Sequence, residues 1–296
     1  MTPRRTLLTA SLLLYAAPAA AQEQDFSKVE IKIERVAPGV AVLFGAGGNI
    51  GLSYGADGNV LIDDQFAPLS AKILAAVKSI DPDAVKFVIN THWHGDHSGG
   101  NENLGKAGAV IVAHDNVRKR MSAEHLSKQF GTKPASPKDA LPVVTFDDEV
   151  TFHLNGDVLR VIHVANAHTD GDSLVYWTGA KVMHMGDTFF NKISLPFIDL
   201  ESGGSIDGMI AAVRTGLTLA AADAVIVPGH GPVANRADLE AYLAMLVDVR
   251  AKVAAAKAAG TSLAAIKASR SAAPYAIANG FIGPDDFVEA VYSSLP

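Results

Sequence analysis

Apolar residues in this chain gather first into short runs with strand-like spacing, cut by glycine, and later into helical spacing. Within residues 29–64, the runs 40–44, 49–54 and 59–62 read as strands joined by Gly-rich turns. Gly45, Gly47 and Gly48 form either a mobile loop over a site or a plain hairpin turn. Ser70 caps a helix running to about residue 79. The apolar run 85–89 is a strand that ends abruptly in a polar stretch rich in histidine. A helix near 101–104 and a short strand over 110–112 follow. Asp115 then opens a charged helix, with Arg118, Lys119 and Arg120 on a solvated face. Residues 131–142, rich in Pro and Lys, read as a loop suited to a flap at a substrate mouth. Strands resume over 143–177, with 158–164 as a buried one, and again at 181–185 and 224–227. Ser205 caps a helix to about 222. A long amphipathic helix over 237–259 ends at Gly260, a shorter one starts near Ser262, and a last one follows Pro284. There is no linker-like boundary and no repeat. Periodicity alone supports an α plus β fold.

Composition narrows this picture. With 296 residues, 49% of them hydrophobic, the chain can bury a large core in one domain. Its net charge is −6, and lysine and arginine are dispersed without a basic stripe, so nucleic acid is not an expected partner. The start differs from the rest. Met1 to Arg5 is basic, 6–16 is mostly apolar, and Ala19, Ala20 and Ala21 precede Gln22. This reads as a secretory signal peptide over 1–21, leaving 22–296 as a single domain with C-terminal helices, periplasmic or secreted. Arg4 and Arg5 permit the twin-arginine route. Beyond the start no apolar run reaches membrane-spanning length, so no stable membrane anchor is expected. The chain has no cysteine, which excludes disulfides and a zinc–thiolate site.

The candidate chemistry lies in Asn90-Thr91-His92-Trp93-His94-Gly95-Asp96-His97-Ser98-Gly99-Gly100. His92 and His94, two apart in an extended turn, can converge on one ion, and Asp96 and His97 can reach a second. A metal pair needs further ligands, and other strand ends offer them. His168 follows the run 158–164, Asp187 follows 181–185, and His230 follows 224–227, each near a glycine. Sites in α/β proteins collect in this way beyond the carboxyl ends of strands. His163 and His184, inside apolar strands, read as packed or hydrogen-bonded groups. His114, His125 and His153 read as surface residues, and Met183 and Met185 as core.

These motifs resemble the metallo-β-lactamase-fold superfamily of binuclear metallohydrolases, over about residues 36–230 with five motifs in order. The resemblance implies a four-layer αββα sandwich. It implies that His92, His94 and His168 hold a first metal, that Asp96, His97 and His230 hold a second, and that Asp187 bridges both. Asp63, in Leu61-Ile62-Asp63, resembles the aspartate that orients a ligand. Two departures matter. The best-known β-lactamases carry Cys, and another subclass Ser, where this chain has Asp187. The glutathione grip that follows this aspartate in glyoxalase II is absent from Thr188-Phe189-Phe190-Asn191-Lys192-Ile193. The implied activity is an exported hydrolase with two zinc ions (iron or manganese as alternatives). A metal-bridging hydroxide, with Asp96 and Asp187 as catalytic residues, would attack an ester, thioester, lactone or β-lactam bond of a small molecule. The alternative is a mononuclear non-haem iron oxidoreductase, such as a sulfur dioxygenase. A third reading, a binding protein with vestigial metals, sits poorly with a complete ligand set. Phe189, Phe190, Ile193 and Phe197 form either an apolar wall or core.

Overall fold

Alternation along two strands, one from each sheet, decides the layering. A computed structural model describes residues 25–127 and 131–296; the leader expected over 1–21 lies outside them. Strands β1 (Lys32–Ala37), β2 (Val40–Phe44), β3 (Ile50–Ser53) and β4 (Asn59–Ile62) form an antiparallel meander. Helix α1 (Ser70–Ile80) then crosses to β5 (Val85–Ile89), which pairs parallel with β4. Ser70 begins this helix but makes no side-chain cap, because a 3-10 turn, Ala67–Leu69, feeds straight into it. After β5 come the one-turn helix α2 (Gly95–Ser98) and α3 (Asn101–Lys106). The parallel strand β6 (Val110–His114) and helix α4 (Asp115–Met121) follow.

Residues beyond α4 are not plain loop. Strand β7 (His125–Ser127) pairs antiparallel with β8 (Gly131–Lys133) in a separate two-stranded ribbon. Strand β9 (Val144–Phe146) pairs parallel with β6 and closes the first sheet, in the order β1-β2-β3-β4-β5-β6-β9.

The second sheet takes β10 (Glu149–Leu154), β11 (Asp157–His163), β12 (Ser173–Trp177) and β13 (Val182–His184) in sequence. Helix α5 (Ile206–Leu219) intervenes before β14 (Val225–Val227), parallel to β13, and the edge pair β15 (Ala234–Asn235). Ser205 does cap α5, accepting from Gly208 N–H. The long α6 (Arg236–Ala258) starts with a reciprocal capping box between Asn235 and Asp238. Helices α7 (Leu263–Ala268) and α8 (Pro284–Ser294) complete the chain. Among the described residues, no helix is long and apolar enough to cross a membrane.

Strand side chains point alternately to opposite faces. In β2, Val40 and Val42 join one core while Ala41 and Leu43 join another. In β12, Val175 and Trp177 meet the same core as Val40, whereas Leu174 and Tyr176 face away. The central core therefore lies between the sheets. The outer core of the first sheet packs under Ile73 and Val77 of α1 and Leu104 of α3. That of the second packs under Met209 and Val213 of α5, Leu246 of α6 and Phe287 of α8. Two mixed sheets flanked by helices are the expected αββα sandwich. It leaves the parallel pairs β4/β5 and β13/β14 with their carboxyl ends free to carry loops.

Candidate metal centre

Seven side chains meet beyond those carboxyl ends. The turn after β5 brings His92, His94, Asp96 and His97, the last two from α2. The β11–β12 loop brings His168. The tight turn after β13 brings Asp187, and the turn after β14 brings His230. A parallel bridge between Phe190 and His230 ties the last two turns together. The seven form three overlapping groups whose donor atoms lie within 4.8 Å of one another: His92, His94, His168; His92, His97, Asp187; and Asp96, His97, His230.

The spacing suits metal coordination. Two tetrahedral ligands at zinc–nitrogen distances stand about 3.3 Å apart. Here His94 Nδ1 lies 2.9 Å from His168 Nε2, and His97 Nε2 lies 3.2 Å from His230 Nε2. Asp187 Oδ2 is 3.9 Å from His92 Nε2, 3.6 Å from His168 Nε2 and 3.4 Å from His230 Nε2. Asp96 Oδ2 is 3.3 Å from His230 Nε2 and 3.7 Å from His97 Nε2. His92 Nε2 is buried without a hydrogen-bond partner, which a native interior rarely tolerates, and Asp187 Oδ1, likewise unbonded, has only the ion-pair contact with His97 Nε2 at 3.0 Å. Cations at these points would satisfy both atoms.

Partners behind the rings fix which nitrogen faces inward. Asp63 follows β4 in a left-handed turn (φ 64°), and its carboxylate points back. It accepts from Thr91 N–H and Thr91 Oγ1–H, both at 2.7 Å, and from His97 Nδ1–H at 2.7 Å. Since Thr91 Oγ1 donates to Asp63, its lone pair can only accept from His92 Nδ1–H, 3.0 Å away. His168 Nδ1–H donates to the carbonyl of Phe197 at 2.8 Å. His94 turns the other way: its Nε2–H meets Asp199 Oδ2 at 2.9 Å and leaves Nδ1 inward. In each of these four rings one nitrogen is engaged from behind, so the other faces the cluster.

Asp199 is the functional residue that sequence reasoning missed. It sits far along the chain, ahead of a short 3-10 turn, and its other oxygen holds Ser202 N–H. No spacing ties it to His94. Two expected surface residues are also corrected. His114 is buried and stacks flat on His163, ring centroids 3.6 Å apart, because each ends a strand at the join of the two sheets. His125 is half-buried, its ring 4.9 Å from that of Trp93. His184 is buried and bonded to the Asn49 carbonyl at 3.0 Å, as expected of a packed group. The ribbon β7–β8 does reach the site's edge, where Lys133 Nζ stands 5.2 Å from the Trp93 ring.

The glycine turn after β2 overlies the cluster but is fastened there. Gly48 N–H donates to the Asp96 carbonyl, and Gln65 Nε2 bonds Gly48 O at 2.6 Å. A side chain at Gly48 would begin 2.0 Å from the His97 ring, and one at Gly229 would begin 2.1 Å from Asp187 Oδ1. Only glycine permits these backbones to approach so closely.

Burial sets the electrostatics, with neighbouring charges deciding each outcome. Burial pushes His92, His94 and His168 below the usual histidine range, so they are neutral. It also opposes charge on His97 and His230, but Asp187 and Asp96 outweigh it. His97 is held well above its ordinary value, and His230 is raised to about 9. Burial would raise Asp187 and Asp96, yet the charges of His97 and His230 hold both carboxyls below their ordinary value. The pocket calls for positive charge beside Asp187, which protons on His97 and His230 supply and bound cations would supply in their place. Deeper in the loop, burial lifts Asp172 to about 7, against two bonds from Thr169.

Of the four expected wall residues, Phe189 is core. Phe190 stacks on His230 at 5.5 Å and Phe197 on His94 at 5.9 Å, while Ile193 is exposed.

Solved structures with the same fold include a metallo-beta-lactamase from Pontibacter korlensis, at TM-score 0.62 and 20% identity, covering 74% of this chain and 100% of that one. The DIM-1 metallo-beta-lactamase matches at TM-score 0.59 and 17% identity, over 74% of this chain and 98% of that one. A double mutant of the sec-alkyl sulfatase PisA1 matches at TM-score 0.66 and 15% identity, over 89% of this chain and 50% of that one. Identities this low carry the fold and no activity. The family model described as "Metallo-beta-lactamase superfamily" matches residues 43–255, more than half of the chain. Together with the αββα layering and the buried His/Asp cluster, this match places the chain in the metallo-beta-lactamase superfamily.

Proposed function

We propose that this protein is a zinc-dependent hydrolase with a two-ion centre, acting on an ester, thioester, lactone or β-lactam bond of a small molecule. The observation that carries the reading is the position of Asp187 Oδ2, 3.6 and 3.9 Å from nitrogens of one histidine group and 3.4 Å from His230 of the other. A carboxylate so placed can be shared. His92, His94 and His168 would hold one ion, and Asp96, His97 and His230 the other. An imidazole and carboxylate donor set without thiolate suits zinc and also admits iron or manganese. Bound divalent ions supply Lewis acidity, polarising a carbonyl and lowering the pKa of a water towards neutrality.

The chain's own groups do the remaining work. Asp96, its side chain 30% exposed, stands at the rim. From there its carboxylate orients an attacking water and takes the proton. Asp187, deep in the pocket, balances cationic charge. Phe190 and Phe197, stacked on two of the rings, exclude water and so strengthen every charge interaction inside. Export to the periplasm or beyond is part of the same proposal and rests on the leader pattern over 1–21.

Metal analysis of purified protein, with a hydrolysis screen across β-lactam, lactone, ester, thioester and phosphodiester substrates, tests this. The expected result is two zinc ions per chain and a hydrolysis that chelation abolishes and zinc restores. Hydrolysis that survives full chelation, or one iron with oxygen uptake, would overturn it.

A further inference from the structure

We infer that Phe281 forms an apolar wall of the substrate site and that the bond cleaved there carries an apolar acyl group. This rests on the hydrolase reading above and narrows its substrate class. Phe281 lies in the segment between α7 and α8, beyond the 43–255 match to the superfamily. It is 54% exposed, yet its ring centroid stands 6.0 Å from that of His230 and 5.7 Å from that of Phe190. Phe190 in turn stacks on His230 within 6° of parallel. An aromatic face open to water therefore continues directly from a candidate metal ligand.

The segment is held in place. Ile282 N–H donates to the buried Ser194 Oγ at 2.9 Å, and Gly280 closes a turn onto the Ile277 carbonyl. The point where a side chain at Gly280 would start is 3.1 Å from Ser194 Cα, so the two backbones touch. Ile193 and Ile277, on either side of this join, are 42% and 37% exposed. Single exposed apolar residues are ordinary, but an exposed ring that borders both a candidate metal ligand and a second aromatic ring is not. Ligand sites pair such apolar walls with a few fixed polar groups. At 6.0 Å the two rings are close enough for one molecule to touch both, so a substrate whose bond reaches His230 can rest its non-reacting part on Phe281. Because the wall is already anchored, covering it gains burial without the cost of ordering a loop.

The test uses zinc-loaded full-length protein. Linear carboxylates from acetate to octanoate are titrated by calorimetry, and p-nitrophenyl esters of the same acids are assayed. In the wild type, Kd and KM should fall about two- to fourfold per methylene over the first few carbons, since each buried CH₂ contributes about that much. In Phe281→Ala the gradient should flatten in both series, and Phe281→Leu should restore most of it. An unchanged gradient in Phe281→Ala, or none in the wild type, overturns the inference. So does a Phe281→Ala variant that alters only self-association in sedimentation, which would assign the patch to a second copy of the chain. If none of the substrate classes in the hydrolysis screen is cleaved the hydrolase reading falls by itself, while the carboxylate affinities still decide the role of Phe281.

Discussion

Asp199 shows how much one carboxylate outside the ligand set can govern. It accepts His94 Nε2–H and thereby turns Nδ1 towards His168, the reverse of the tautomer that Asp63 imposes on His97. Burial works against its charge, but the hydrogen bond to His94 holds it below the ordinary carboxyl range. Asp199→Ala should leave His94 free to rotate and weaken the first metal site about tenfold to a hundredfold. Asp199→Asn keeps an acceptor and should lose less. Competition with a chromophoric chelator measures both, and an Asp199→Ala protein that binds zinc as tightly as wild type would remove the residue from this role. At this scale the sequence was legible where residues sit at short spacings or end an apolar run. His92, His94, Asp96 and His97 share one turn, and Asp63, Asp187 and His230 each close a strand. Asp199 does neither, and only folding brings it to His94.

Elements were legible where periodicity is long and illegible where it is short. The cap at Ser205 and the helix beyond it follow from local chemistry, as does the long α6. The ribbon β7–β8 escaped because three-residue strands show no alternation, and their pairing depends on register. Helix α2, a single turn inside a polar stretch, carries no apolar stripe at all. The β11–β12 loop that carries His168 has its own closure: Asp172 accepts from both the amide and the hydroxyl of Thr169 at 2.7 Å. Burial raises Asp172 to about 7, so the folded chain keeps a proton there that the unfolded chain gives up near pH 4. More protons on the folded state mean that stability falls as pH rises from about 4 through about 7. Asp172→Asn cannot ionise, while its amide still accepts from Thr169 N–H and donates to Thr169 Oγ1. Urea melts of the metal-free variant should show a flatter pH dependence in that window and a gain over wild type at pH 8, measured relative to pH 4. Parallel pH profiles for the two proteins would show that Asp172 titrates normally.

Across the whole molecule, the alternation in β2 and β12 tells which residues share a face, but not which face meets which. The pattern alone therefore reached α plus β, and the order of layers came from the resemblance. The candidate centre has donors from both sheets, so an ion there joins the two halves of the sandwich. Zinc at a thousandfold excess over its Kd would add about 4 kcal/mol to stability. That corresponds to a rise in Tm of several degrees. Calorimetry with and without chelator checks this, and identical transitions would argue against a tightly bound ion. Separation along the chain has a further consequence, which concerns time. His92 and His230 are neighbours only once the strands between them have found their places. Until then the chain offers no more than fragments of a binding site, so the ion cannot act as a seed and enters as a clasp fastened last. Refolding should then proceed at the same rate with or without zinc, while unfolding slows when zinc is present.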